Sequence, residues 1–116
     1  MCIRDRYQAA ADVLVFHMSD RLTHWEYCTP AKAFEYMVAR RPIVATDLPR
    51  FDEVFGADGE RAVRARRRSP EALAEGIAGL LEGDGDAGAM VERAASFVAG
   101  RTWEARTRAV LDALAA

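Results

Sequence analysis

A chain of 116 residues holds one domain at most, with enough length for a modest core. Its formal net charge of -2 gives no ground for a nucleic-acid partner. No apolar run approaches the ~20 residues that a membrane span needs. The two cysteines, Cys2 and Cys28, form neither a disulfide framework nor a CxxC metal pair, so a reducing, cytoplasmic setting is the default.

The opening MCIRDR is no signal peptide, because no apolar segment follows it. It is similar to the translation of a transposon-end sequencing adapter, ATGTGTATAAGAGACAG, which reads Met-Cys-Ile-Arg-Asp and then Arg or Ser. Residues 1–6 are therefore read as adapter-derived and set apart from the fold. On this reading Cys2 carries no meaning, and residues 7–116 are the C-terminal portion of a longer protein.

YQAAADVLVF reads as a helix end running into a short strand, whose β-branched apolar run suits a buried parallel sheet. HMSDRLTHWEYC is polar and aperiodic, a loop at the end of that strand. Open α/β folds place ligand contacts there. Thr29-Pro30 signals a helix start, with Thr29 as cap and Pro30 at the first helical position. PAKAFEYMVA follows as a helix. Ala31, Phe34 and Val38 share its expected apolar face, and Lys32 and Glu35 share another.

Arg40-Arg41 suit the end of this helix, and Pro42 stops it. PIVATD is a second buried strand, Leu48-Pro49 a turn, RFDEVF a short helix and GADGE a turn. RAVRAR alternates as an edge strand. Ser69-Pro70 opens a helix carrying Leu73, Ile77, Leu80 and Leu81 on one side, and GDGD breaks it. A further helix presents Met90, Ala94, Phe97 and Val98, and Gly100 ends it. Thr102 caps the last helix, whose stripe of Trp103, Val110, Leu111 and Leu114 is expected in the core. The fold class is α/β: a partial Rossmann-like domain of about three parallel strands with flanking helices.

Lys32 is the only lysine of the chain; the other 15 cations are arginines. If the Thr29-Pro30 helix start faces a cleft, the free amides of Ala31 and Lys32 form an anion site. The Lys32 ammonium adds a mobile charge. Glu35, one turn on, can accept two hydrogen bonds from a vicinal diol such as ribose. Together these make a workable nucleotide-diphosphate site. The plainer alternative is an exposed Lys32–Glu35 pair on a helix surface, worth a few tenths of a kcal/mol.

The segment TPAKAFEYMVARRPIVATDLPRFDEV resembles the donor-binding segment of GT-B glycosyltransferases, specifically the retaining, family-four-like group. The matching positions are Thr29, Pro30, Lys32, Phe34 to Met37, Pro42 to Pro49 in a P-I-V-A-x-D-L-P pattern, and Glu53-Val54. AADVLVF resembles the preceding strand; SPEALAEGI and RTWEAR resemble the closing helices. The resemblance implies the last part of a nucleotide-sugar-binding domain, with an acceptor-binding N-terminal domain and earlier phosphate-binding loops lying outside this chain. Glu35 would hold the donor ribose. Thr29 and the amides after it would meet the diphosphate, with Tyr27, Cys28, Pro30 and Lys32 beside them.

The family's first glutamate should stand at position 27, where this chain has Tyr27; Glu26 is one step out of register. Contacts to the sugar are thereby left open, and no catalytic residue is assigned. The implied reaction is transfer of a sugar to an acceptor with retention, in glycan biosynthesis. The donor is a nucleotide-diphosphate sugar, and no metal or other cofactor is required. A fragment lacking the acceptor domain should not turn over. The alternative is a non-catalytic α/β module that binds a nucleotide or a partner, and Tyr27 favours it.

Other residues are weaker candidates. His17 follows a strand and could face the cleft or solvent; His24, Asp20 and Glu26 are loop residues. Cys28 is read as a passive small residue. Asp47 sits at the end of a strand and could face a ligand or cap the next turn, and Glu53 could simply solvate its short helix. RARRRSP places four arginines within five residues, Arg64 to Arg68. That suits peripheral contact with anionic lipid at the inner face of the membrane, or an ordinary charged edge strand. A response-regulator fold wants an aspartate at a strand end and a later strand-end lysine; Asp12 begins a strand and Lys32 lies on a helix.

Overall fold

The computed structural model describes residues 2–19, 21, 28, 30–83 and 85–116. Helix α1 (Ile3–Ala10) leads into β1 (Leu14–Phe16). Next come α2 (Ala31–Val38), β2 (Ile43–Asp47), a 3-10 turn (Pro49–Phe51) and α3 (Asp52–Phe55). β3 (Val63–Arg66) follows, then α4 (Pro70–Glu82), α5 (Ala87–Ala99) and α6 (Trp103–Ala115). The three strands form one parallel sheet in the order β1-β2-β3. This is the partial Rossmann-like α/β arrangement that the strand and helix alternation predicts.

The strand pleat decides what each side chain meets. Leu14, Phe16, Ile43 and Ala45 face the main core together with Ala33 and Met37 of α2 and Ala94 and Val98 of α5. Val44 and Val63 face α4. There Gly76 lets the helix sit close: a Cβ at that position would lie 3.1 Å from Val44 Cγ1 and 3.2 Å from Val63 Cγ1. β2 is therefore covered on both sides, with Ile43 to Thr46 all buried. β1 departs from the expected two-sided burial, because Val15 remains 36% exposed.

Phe16 anchors the exit of β1. Its ring meets Phe51 at 5.3 Å, Phe55 at 5.4 Å and Tyr36 at 6.0 Å, mostly edge to face. Each such contact contributes about 0.5–1.5 kcal/mol beyond burial. Three elements thus converge on the last residue of β1.

Several caps follow the sequence signals. Ser69 Oγ accepts from the Ala72 N–H, Asp86 from Ala89 and Thr102 from Ala105, each at 3.1 Å. Gly83 closes α4 with φ +82°, which a glycine adopts without strain. Arg40 takes the same left-handed region after α2, at φ +55°.

Residues 3–6 form the first turn of α1, with Cys2 and Asp5 closing its start. Three expectations need correction. Pro30 is the N-cap of α2 rather than its first helical residue, because its ψ of 131° is still extended. The buried face of α2 is Ala33 and Met37, while Ala31 and Val38 are exposed. This helix is apolar in most directions, so spacing alone admits more than one face. Finally, the Trp103 stripe is not core: Trp103 is 83% and Leu114 78% exposed, and Leu81 of α4 is exposed as well.

Candidate functional site

A cleft of about 460 Å³ opens where β1 ends and α2 begins. Phe16 and Val15 form its apolar side; His17, Met18, Ser19, Pro30 and Lys32 form the rest. This is the edge of a parallel sheet at which open α/β folds bind ligands.

α2 supplies the cationic side. The Pro30 carbonyl accepts from the Ala33 N–H at 3.1 Å, so the amides of Ala31 and Lys32 precede the first intrahelical bond. Their donors and the positive end of the helix favour an anion. The Lys32 side chain is exposed at the cleft, and among the described residues it forms no ion pair. The expected surface pair with Glu35 is therefore not made.

Glu35 has a different partner. Its Oε1 accepts from Arg4 Nη2 at 3.1 Å, with its side chain 34% exposed. It lies on α2 beside the cleft but does not line it. Two i,i+3 neighbours on one helix have thus separated, one toward the sheet edge and one toward α1. Next to it, burial and then the charge of Glu35 push the Tyr36 phenol above its ordinary pKa. The Tyr36 hydroxyl donates to the Val15 carbonyl at 3.4 Å.

β2 does not line the cleft but braces its β1 side. Its register places Phe16 opposite Ala45, so His17 emerges beside Thr46. Thr46 Oγ1 lies 3.2 Å from His17 Nδ1 and accepts from the Met18 N–H at 3.1 Å. Thr46 is 3% exposed. Asp47, one residue on, points to Arg64 rather than to the cleft: Arg64 Nη2 donates to Asp47 Oδ1 at 2.9 Å.

Arg64 changes the reading of the arginine run. Its side chain is 3% exposed and holds the backbone of two turns, donating to the Gly56 carbonyl at 2.6 Å and the Leu48 carbonyl at 2.8 Å. It cannot contribute to a patch for anionic lipid. Arg66, Arg67 and Arg68 remain exposed.

Of the predicted site residues, the structure brings Pro30 and Lys32 to the cleft, sets Glu35 beside it and leaves Cys28 exposed. Tyr27, Thr29, Asp20, His24 and Glu26 lie outside the described residues. Glu53 is exposed on α3. Thr46 was not singled out from sequence; its role needs the parallel register, which joins positions 29 apart. Among the described residues no three His, Cys, Asp or Glu side chains come together as a metal site. No helix among them is long and apolar enough to cross a membrane.

An open sheet of three parallel strands flanked by helices defines a partial Rossmann-like domain. Residues 4–83 match the family described as glycosyl transferases group 1, and the chain belongs to that family. The match takes in Arg4 to Arg6, the second half of the stretch read as adapter-derived. No curated protein matches the chain.

Proposed function

We propose that this chain carries part of the donor site of a retaining glycosyltransferase, which binds a nucleotide-diphosphate sugar between α2 and the end of β1. The observation that supports this most is the cleft itself, where the Lys32 ammonium and the first amides of α2 meet the sheet edge. A diphosphate there would face one mobile cation and a helix start. The ribose would lie one turn along, within reach of Glu35, and its diol would displace the exposed Arg4 guanidinium. In transfer, the leaving diphosphate gains charge, and preorganised donors aimed at it lower the barrier. Transfer with retention to a hydroxyl acceptor belongs to the same proposal, as does completion of the site by a second domain.

The test is calorimetric titration of the chain with UDP and with GDP, in wild type, Lys32→Ala and Glu35→Ala. Saturable binding that weakens in Lys32→Ala and is lost in Glu35→Ala is the expected result, and it identifies the base. Binding unchanged in both variants would mean that α2 is only a well-formed helix. No binding of either nucleotide by folded protein would favour a partner-binding module.

A further inference from the structure

We propose that His17 is a diphosphate-binding residue whose imidazole is locked by Thr46 into the tautomer that offers Nε2–H to the cleft. The inference deepens the donor-site reading and rests on it.

The argument starts from Thr46. Its hydroxyl is one donor with two acceptor lone pairs. The Met18 N–H can only donate, so Thr46 Oγ1 accepts that bond. The hydroxyl hydrogen is left over, and Thr46 is buried. His17 Nδ1 stands 3.2 Å away. If Nδ1 carries a lone pair, the hydroxyl hydrogen is satisfied. If Nδ1 carries a proton, two donors converge on Oγ1, and the buried hydroxyl hydrogen has no acceptor among the described residues. Leaving a buried donor unmade is costly. The neutral ring is therefore protonated on Nε2.

Geometry then fixes where that N–H goes. Nε2 lies across the ring from Nδ1, away from Thr46, and His17 is an exposed lining residue of the cleft. Phe16, clamped among three aromatic rings, fixes the backbone from which His17 projects. A directed neutral donor on the strand side thus complements the Lys32 point charge on the helix side. An anion seated between them accepts from both. His17 would touch the ligand; Thr46 is a positioning residue that acts through it.

The experiment titrates wild type, His17→Ala, His17→Gln, Thr46→Val, Thr46→Ser and Lys32→Ala with UDP, GDP and inorganic pyrophosphate. Nitrogen-15 spectra of the imidazole are recorded alongside, to show which ring nitrogen bears the proton. Expected are an unprotonated His17 Nδ1 and a loss of roughly tenfold to hundredfold in affinity for all three ligands in His17→Ala, as for a hydrogen bond to a charged group. Gln presents an N–H near the position of Nε2, so His17→Gln should recover most of that loss. Thr46→Val should mix the tautomers and weaken binding, and Thr46→Ser should restore both.

Wild-type affinity in His17→Ala, with Lys32→Ala weakened, overturns the assignment and leaves the donor site standing. So does a proton on Nδ1. Loss confined to the nucleotides, with pyrophosphate unaffected, overturns it too, because the contact is then to base or ribose. Absence of binding in wild type removes the donor site and this residue's role together.

Discussion

Replacing Arg64 with methionine is the sharpest test of how the sheet edge is held. The guanidinium donates to the carbonyls of Gly56 and Leu48, both on buried residues. Hydrogen bonds from a charged donor contribute about 1.5–3 kcal/mol each, so the pair accounts for roughly 3–6 kcal/mol. The ion pairs add little. Asp47 and Asp52 accept at 2.9 and 3.1 Å, but their side chains are 59% and 71% exposed. Water takes the place of the lost partner, and together they are worth about 1 kcal/mol or less. One term runs the other way. Arg64 Nε is buried without a partner among the described residues, and removing a desolvated charge recovers part of the loss. The net expectation for Arg64→Met is a loss of about 2–4 kcal/mol. Urea unfolding should show a lower midpoint at unchanged slope. Arg64→Lys should fall between, because an ammonium cannot serve both carbonyls with the same fork. Stability of Arg64→Met within about 0.5 kcal/mol of wild type would refute the clamp, placing the substitution among ordinary surface changes.

Two further predictions concern backbone strain and alkali. Gly56 has φ +71° and ψ -164°, a region nearly closed to other residues, so Gly56→Ala should cost about 1–3 kcal/mol by the same urea assay. Gly88, with open space around its Cβ position, should tolerate alanine without loss. Tyr36 has its pKa raised in the folded state, by burial first and Glu35 second. The stability this gives is fully present below the ordinary phenol pKa and is lost as pH rises through the folded value. Unfolding midpoints measured upward from about pH 10 should therefore fall less steeply in Tyr36→Phe than in wild type.

What the sequence made legible follows from how local each signal is. Ser69, Thr102 and Gly100 act on their own helix ends, and a cap needs no knowledge of the rest of the chain. Met90, Ala94 and Val98 recur four residues apart in a mixed helix, and that spacing points to one face. α2 offered no such contrast, and Ala33 and Met37 could not be told from Ala31 and Val38. The stripe of α6 shows that the helix has an apolar side; nothing in that periodicity says that a neighbour covers it. Arg64 stood in a run of arginines with no local mark of burial. At the cleft, Lys32 and Pro30 were legible because α2 positions them by itself. The Arg4–Glu35 pair and the Thr46–His17 contact join elements distant in sequence, and only the register of β1 on β2 brings the second pair together.

The strand order has a consequence for how the chain comes together and comes apart. β1, β2 and β3 lie side by side in the order of synthesis. Residues 48–62 bridge β2 to β3, and residues 17–42 bridge β1 to β2. Closing the longer connection costs about 0.5 kcal/mol more by loop entropy alone. The shorter unit also carries the Arg64 clamp and the α4 cover. The later two strands can therefore condense as a nucleus, with β1 docking onto them afterwards. In the folded protein the opening runs in reverse, so amide exchange should reach β1 before it reaches β2. The cleft where β1 ends then rests on a strand expected to open before β2, and an anion bound there would act first as a brake on that opening.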